Sequence, residues 1–380
     1  MTSISYSCYV ERIAIVKPDA LGDLVLLSTT LRYLRSIRPE CHITLFVSEE
    51  LVDYTRLCPY INEVVGAFSK TNQSLDKVIK EATNYLERIP TAFDKVILAR
   101  WDIDYYFASH LCAMLPSVSK HAYSERVTIQ KGIMNKGFDS FFTHHYVDSE
   151  VEHEHTKNLK LIGLVFGHQV TDSWYQERTL SWFGIADEIW IQHILSTTFK
   201  SFEDCPIIVI APEASEEYKM LDYGSWLRIS KLAKEVFEKF DPYYFIIGTK
   251  KHAQLCGKLT LIFNKSVNLC GVTTISNLSK LLSSAKVVLA MDSGVSHLAS
   301  SFEAIIIQFR CSTDDVNPNS AKSKLRFRPF NGRVGFVEPV SIKQPCIEGH
   351  CQSKSSHCIN NFSDETLLNQ FAEVQRHLQR

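Results

Sequence analysis

IVKPDALGDLVLLSTTLRYLR, residues 15–35, runs from the apolar end of a strand through a short polar turn into an amphipathic helix. Leu24, Leu27, Leu31 and Leu34 recur at helical spacing, and Arg32, Arg35 and Arg38 fall on the other face. At the join, Asp23 directly follows Gly22. A helix start carries partial positive charge and unpaired N–H groups, so an aspartate there is first of all a helix cap. A carboxylate at a strand end facing a cleft can also act as a general base toward a substrate hydroxyl. A dinucleotide-type phosphate cradle would need several glycines, and this turn has only Gly22. Asp23 would also repel a diphosphate, so the first domain is not expected to hold a nucleotide.

Working outward, RIAIV, HITLFV, EVVGAF and FDKVILA alternate with helix-period segments at 23–35, 73–88 and 104–115. Such alternation predicts βαβ units and a parallel sheet covered on both faces. In the segment 73–88, Leu75, Val78, Ile79, Ala82, Tyr85 and Leu86 share one face. Residues 117–150 are less regular, and only HHYV reads as a strand there.

A second series follows 195–205: PIIVIAP, a helix at 223–239, YYFIIG, a helix at 250–263, SVNLC, a helix at 276–284, KVVLAM, a helix from 294, and AIIIQF. Two independent α/β sheets are expected. Their domains span 1–195 (acceptor side) and 205–345 (nucleotide side), with 346–380 as a cysteine-containing loop and a C-terminal helix capped by Ser363. Ligands of such sheets bind at the carboxyl ends of the strands.

In VVLAMDSGVSHLAS the strand 287–291 ends at Asp292, Ser293 and Gly294, and a helix begins at once. Small residues at a helix start let an anion approach free N–H groups. His297, in the first turn, could donate to a phosphate; a lone histidine is more often packed between helix and sheet, but less so beside a strand-end DSG. APEASEEYKML adds Ser215 and Lys219 on a loop after another strand, Lys219 alone being an ordinary surface lysine.

The bulk numbers are those of a folded protein. Of 380 residues, 45% are hydrophobic and 22% charged, and 41 Lys plus Arg balance 42 Asp plus Glu, so nucleic acid is not expected as a partner. No signal peptide or spanning segment is evident, which predicts a cytoplasmic protein. Eight of the eleven cysteines are scattered and read as reduced thiols.

Taken together, the first motif and MDSGVSHLAS resemble glycosyltransferase family 9, the ADP-heptose:lipopolysaccharide heptosyltransferase family. ECHITLFVSEE, CPYINEVVGA, FDKVILA, HEHTKNLKLIGLVFG, APEASEEYKMLDYGSWLRI and STDD extend the similarity in order along most of the chain. The resemblance implies a GT-B fold, with two Rossmann-like domains facing a central cleft and the sugar nucleotide on the C-terminal one. It implies inverting transfer that requires no cofactor. By position, Asp23 looks like the family's general base, with Gly22 its partner in the turn. Lys219 resembles the lysine that meets the donor phosphates, with Ser215 beside it. Asp292, Ser293, Gly294, Val295 and His297 match the D-[ST]-G-x-S-H element that cradles the diphosphate and ribose side.

The sequence also departs from the family. IIGTKKHAQ lacks the glutamate that relatives often place after this strand to hold the ribose, and LARWDIDYY replaces the usual acceptor-side segment. Asp102 and Asp104 have the D-x-D spacing of metal-using transferases, but they lie in the acceptor half. There Asp102 reads as an acceptor contact or cap. Cys346, Cys351 and Cys358, with His350 and His357 interleaved, suit a structural zinc or iron ion, against the alternative of a reduced surface loop. Lys322, Lys324, Arg326, Arg328 and Arg333 form either a solvated face or a surface that steers an anionic substrate or rests on an anionic membrane. His153 reads as a helix cap.

The resulting expectation is transfer of a heptose from ADP-heptose to a lipopolysaccharide-core or related surface glycan, on the inner face of the inner membrane. The alternatives are another nucleotide sugar or a protein acceptor, and a non-catalytic nucleotide-binding scaffold on the same fold.

Overall fold

The computed structural model describes residues 9–69, 73–89, 92–198, 205–311, 323–342 and 357–379, together with the backbone of 346–347 and 350–351. The chain divides into two compact units, Met1–Glu177 and Arg178–Arg380.

In the first unit six parallel strands, β1 (Arg12–Val16), β2 (His42–Ser48), β3 (Glu63–Phe68), β4 (Phe93–Leu98), β5 (Ser117–Tyr123) and β6 (His144–Tyr146), lie in the order β3-β2-β1-β4-β5-β6. In the second unit β7 (Ile207–Ala211), β8 (Tyr243–Ile246), β9 (Ser266–Asn268), β10 (Val287–Met291), β11 (Ile305–Phe309) and β12 (Arg333–Val337) lie in the order β12-β11-β10-β7-β8-β9, again all parallel. Each is a doubly wound sheet. The chain reverses direction across the sheet between β1 and β4 in one unit and between β7 and β10 in the other. These switch points are where such sheets leave a crevice at the carboxyl ends of their strands.

The central strands are apolar runs because helices cover both faces; every residue of β7 and β10 is buried. The helix Leu21–Ile37 buries Leu24, Leu27, Leu31 and Leu34 as its periodicity requires. The helix Leu75–Arg88 starts at the Ser74 cap and buries Val78, Ala82 and Tyr85, whereas Ile79 is exposed.

Several elements differ from expectation. The β5 strand, SVSKHAY, carries Ser117, Ser119, Lys120 and His121 among few aliphatics, and this hides its strand character in the sequence. The division of the chain falls at 177/178 rather than at 195–205, because the helix Ile185–Thr198 belongs to the second unit: Asp187 accepts hydrogen bonds from Ser276 and Asn277, at 2.9 and 2.7 Å. The C-terminal helix Asp364–Leu378 is no appendage either. Leu367, Phe371 and Val374 join Phe237 and Val337 in the second core, and the Phe237 and Phe371 rings are 4.9 Å apart. Ser363 caps this helix as expected.

Candidate functional site

In the first unit the chain leaves β1 into Lys17, Pro18, Asp19 and Ala20, then enters the helix Leu21–Ile37. Ala20 occupies the cap position, with no side-chain cap bond, and Gly22 is buried in the first turn. Asp23 is therefore not the cap that its spacing first suggests. It is the third helical residue, half-buried, where the helix dipole still favours its charge. The Tyr106 phenol lies within its field: burial raises the Tyr106 pKa, Arg100 opposes this, Asp23 adds to it, and Lys17 opposes again.

Around this turn stands a buried charge network that sequence reasoning missed. The Lys17 ammonium donates to the Ala99 carbonyl at 2.9 Å and lies 3.2 Å from Asp19 and 3.7 Å from Glu154. Arg100 pairs with the other oxygen of Asp19 and donates to the Ile103 carbonyl at 2.6 Å. These groups come from the ends of β1 and β4 and from the start of the helix Glu154–Phe166. The available signal was "KPD", a charged pair placed directly after an apolar strand. His153 caps that helix as expected, accepting from the His155 N–H at 3.2 Å.

The D-x-D pair is occupied by local structure. Asp104 is buried and accepts from the N–H groups of Tyr106, Ala108 and Ser109 at 2.9, 3.1 and 2.7 Å, capping the helix Ala108–Met114. Asp102, partly buried, accepts from the Ile103 N–H at 2.7 Å.

In the second unit β10 ends at Asp292, and Ser293 caps the helix Gly294–Ser300 through its backbone alone. The Ser293 hydroxyl and the His297 Nδ1 are buried with no hydrogen-bond partner among the described residues. Burial pushes the His297 pKa down to about 4, Asp292 opposing and Arg310 adding, so the ring is neutral at pH 7 and offers a single N–H. Val295 is partly buried in the same turn.

Two residues of β11 and its end complete this cluster, and neither was anticipated. Gln308 donates to Ser296 at 2.8 Å and to Asp292 at 3.4 Å. The Arg310 guanidinium, only 2% exposed, lies 3.6 Å from Asp292 and donates to Gln308 at 3.2 Å.

Ser215 and Lys219 lie on the loop after β7, the strand beside β10, so they share its carboxyl edge. Ser215 is exposed and Lys219 half-buried, and no ion pair holds the Lys219 ammonium among the described residues. Glu213, on the same loop, reaches across to the end of β8. It accepts from the N–H and hydroxyl of Thr249, both at 2.6 Å, and its oxygen lies 2.7 Å from His252 Nδ1. Burial alone would raise its pKa, yet these hydrogen bonds hold it below the ordinary value. A carboxylate from the neighbouring strand's loop therefore stands against the IIGTKKHAQ turn, which carries none of its own.

The basic stretch 322–333 is not simply a solvated face. Arg326 is fully buried, and Lys324 pairs with Glu338 at 2.9 Å; Lys322 lies outside the described residues. In the cysteine cluster the backbones of Cys346 and Cys351 pair across two short antiparallel strands, and Cys358 is buried. The side chains of Cys346 and Cys351 lie outside the described residues. Among the described residues one carboxylate group has metal-ligand spacing, Asp148, Glu150 and Glu152. Lys157 and Lys160 lie on it, the nearest Lys157 contact being 2.8 Å to Asp148. No helix among the described residues is long and apolar enough to cross a membrane.

Two doubly wound parallel sheets, each with polar groups gathered at its switch point, are the architecture of the GT-B fold. The same fold occurs in a glycosyl transferase of family 9 from Veillonella parvula DSM 2008, at a TM-score of 0.75 and 14% identity over 97% of this chain and 98% of that one. It occurs in E. coli ADP-heptose lps heptosyltransferase II, at a TM-score of 0.67 and 13% identity over 97% and 100%. E. coli heptosyltransferase WaaC with ADP aligns at a TM-score of 0.65 and 16% identity over 96% and 99%. No curated protein sequence matches this chain. Residues 141–326 match glycosyltransferase family 9 (heptosyltransferase). The matched stretch runs from the end of the first unit through the DSGVSH turn of the second.

Proposed function

We propose that this protein is a glycosyltransferase that inverts configuration, needs no metal ion for the transfer, and moves a heptose from ADP-heptose to a hydroxyl of a lipopolysaccharide-core or related surface glycan. One observation carries the reading: the half-buried carboxylate of Asp23 sits at the switch point of the first sheet in a helix whose cap position is filled by Ala20. Asp23 takes the proton from the acceptor hydroxyl as that oxygen bonds to the anomeric carbon. The bond from this carbon to the diphosphate breaks, and ADP departs. On the second unit the start of the helix Gly294–Ser300, the His297 N–H and Lys219 meet the phosphate charge, with Ser215 and Asp292 beside them. The names of the E. coli neighbours, one an ADP-heptose lps heptosyltransferase and one solved with ADP, support the choice of donor.

The test is a panel of nucleotide sugars and acceptors, glycans and proteins included, followed by nucleotide release and by ligand-induced melting shift. ADP release from ADP-heptose, abolished in Asp23→Ala while ADP still raises the melting temperature, is the expected result. Binding without turnover on any acceptor would instead favour the scaffold.

At the C-terminal cluster we propose a structural zinc or iron ion held by Cys346, Cys351 and Cys358. The direct backbone pairing of the first two and the burial of the third support it. Metal analysis of untagged protein decides, and a metal-free, fully stable protein would end the idea.

A further inference from the structure

The excursion between β5 and β6 contains a six-residue helix, Ile129–Met134, that is amphipathic the wrong way round. Its inner face is polar. Lys131 is 6% exposed and donates to the Trp101 and Tyr123 carbonyls at 2.9 and 3.1 Å. Asn135, one turn on, accepts from the Asp104 N–H at 2.7 Å and donates to the Asp104 carbonyl at 3.1 Å. A second polar clamp ties the ends of the excursion, with Asp139 accepting from Ser124 at 2.6 Å and from the Glu125 N–H at 2.8 Å.

Its outer face is aliphatic. Ile129 is 85% exposed, Ile133 70% and Met134 59%, and Tyr105, next to the gripped Asp104, is 59% exposed. A surface helix normally turns such residues inward, because exposing them forfeits the hydrophobic stabilisation that would hold it down. Here hydrogen bonds hold the helix and the apolar side chains are left outside.

We propose that this face docks on an anionic lipid surface. Three features select lipid over protein. The three aliphatic side chains expose on the order of 400 Å² of apolar surface, about half of what each partner of a stable protein interface buries. They project from one six-residue helix, so they reach the headgroup boundary as a shallow wedge, with Tyr105 suited to that boundary. The exposed charged side chains of the excursion are Arg126 and Lys136, both cationic, while the carboxylates of Glu125 and Asp139 are turned into its internal clamp. The face also lies at the carboxyl edge of the sheet that carries Asp23, so docking would bring that edge toward a lipid-borne acceptor.

The test reads partitioning and does not depend on glycosyl transfer, so it fails or succeeds apart from the proposed reaction. The full chain is sedimented with phosphatidylcholine vesicles, with and without phosphatidylglycerol. The wild type is expected to co-sediment with the anionic vesicles. Ile129→Ser/Ile133→Ser and Arg126→Gln/Lys136→Glu are each expected to reduce binding by about tenfold or more with little change in melting temperature, since these side chains contact solvent and Arg126 meets Asp139 only in an exposed pair at 3.9 Å. Met134→Trp provides a second measurement, its emission shifting to the blue with anionic vesicles and being quenched by brominated lipid. No vesicle binding by the wild type, undiminished binding by both double variants, or a dimer in solution that Ile129→Ser/Ile133→Ser dissociates would each overturn the proposal.

Discussion

The ammonium of Lys17 lies 3.2 Å from the Asp19 carboxylate, and both side chains are almost wholly buried. Arg100 remains on Asp19 if Lys17 is removed, but both Asp19 and Glu154, the latter 3.7 Å away, lose the buried ammonium. Lys17→Met is therefore expected to destabilise the protein by about 3–5 kcal/mol, as breaking one side of a buried charge network does. Urea unfolding measures it; a loss well under about 1 kcal/mol would mean that solvent reaches the network.

Asp23→Asn keeps the size of the side chain and removes its basicity. Transfer is expected to fall by roughly 10²–10⁴-fold. The helix-dipole contribution of a first-turn carboxylate, about 0.3–1 kcal/mol, is lost with the charge. Turnover and thermal melting measured together separate the two effects, and near-normal turnover would remove Asp23 from the chemistry.

Acid should destabilise the chain. Burial pushes His121 and His297 down to about 4 and His155 to about 3. In the unfolded chain each titrates near about 6.5, so below that pH the unfolded state binds protons that the folded state refuses. The stability held above about 6.5 is lost as pH falls toward the folded values, at up to about 1.4 kcal/mol per pH unit for each histidine. Urea midpoints at about pH 7.5 and about pH 5 should show the fall, and replacing His297 by Gln should make it shallower. A flat profile over this range would contradict the burial of these rings.

Phe371→Ala is expected to cost about 3–5 kcal/mol, because the ring is fully buried and packs 4.9 Å from that of Phe237. If residues 346–380 were instead a separate appendage, the change would leave the main unfolding transition where it was.

Much of this was legible in the chain. Apolar runs such as VVLAM and IIVIA can only be strands covered on both faces, and their alternation with helix-period segments predicts two parallel sheets. The turns after β1 and β10 were also legible, because a strand that passes straight into a helix through small or charged residues marks a carboxyl edge. The β5 strand was not, since its polar face breaks the apolar pattern. Nor was the placement of the C-terminal helix, whose periodicity shows that it buries one face but does not say against what.

Sequence by itself determined the local elements and the turns on which Asp23, Lys219 and His297 stand, because periodicity and residue type act over a few neighbouring positions. Only the tertiary structure decided that Glu213 reaches the loop after β8, that Arg310 and Gln308 meet Asp292, and that Lys17, Asp19, Arg100 and Glu154 share one buried network. It likewise turned the helix Ile129–Met134 with Lys131 inward and its isoleucines outward. Each of these depends on which strands become neighbours, and strand order is fixed by packing between segments far apart in the chain, which no local pattern records.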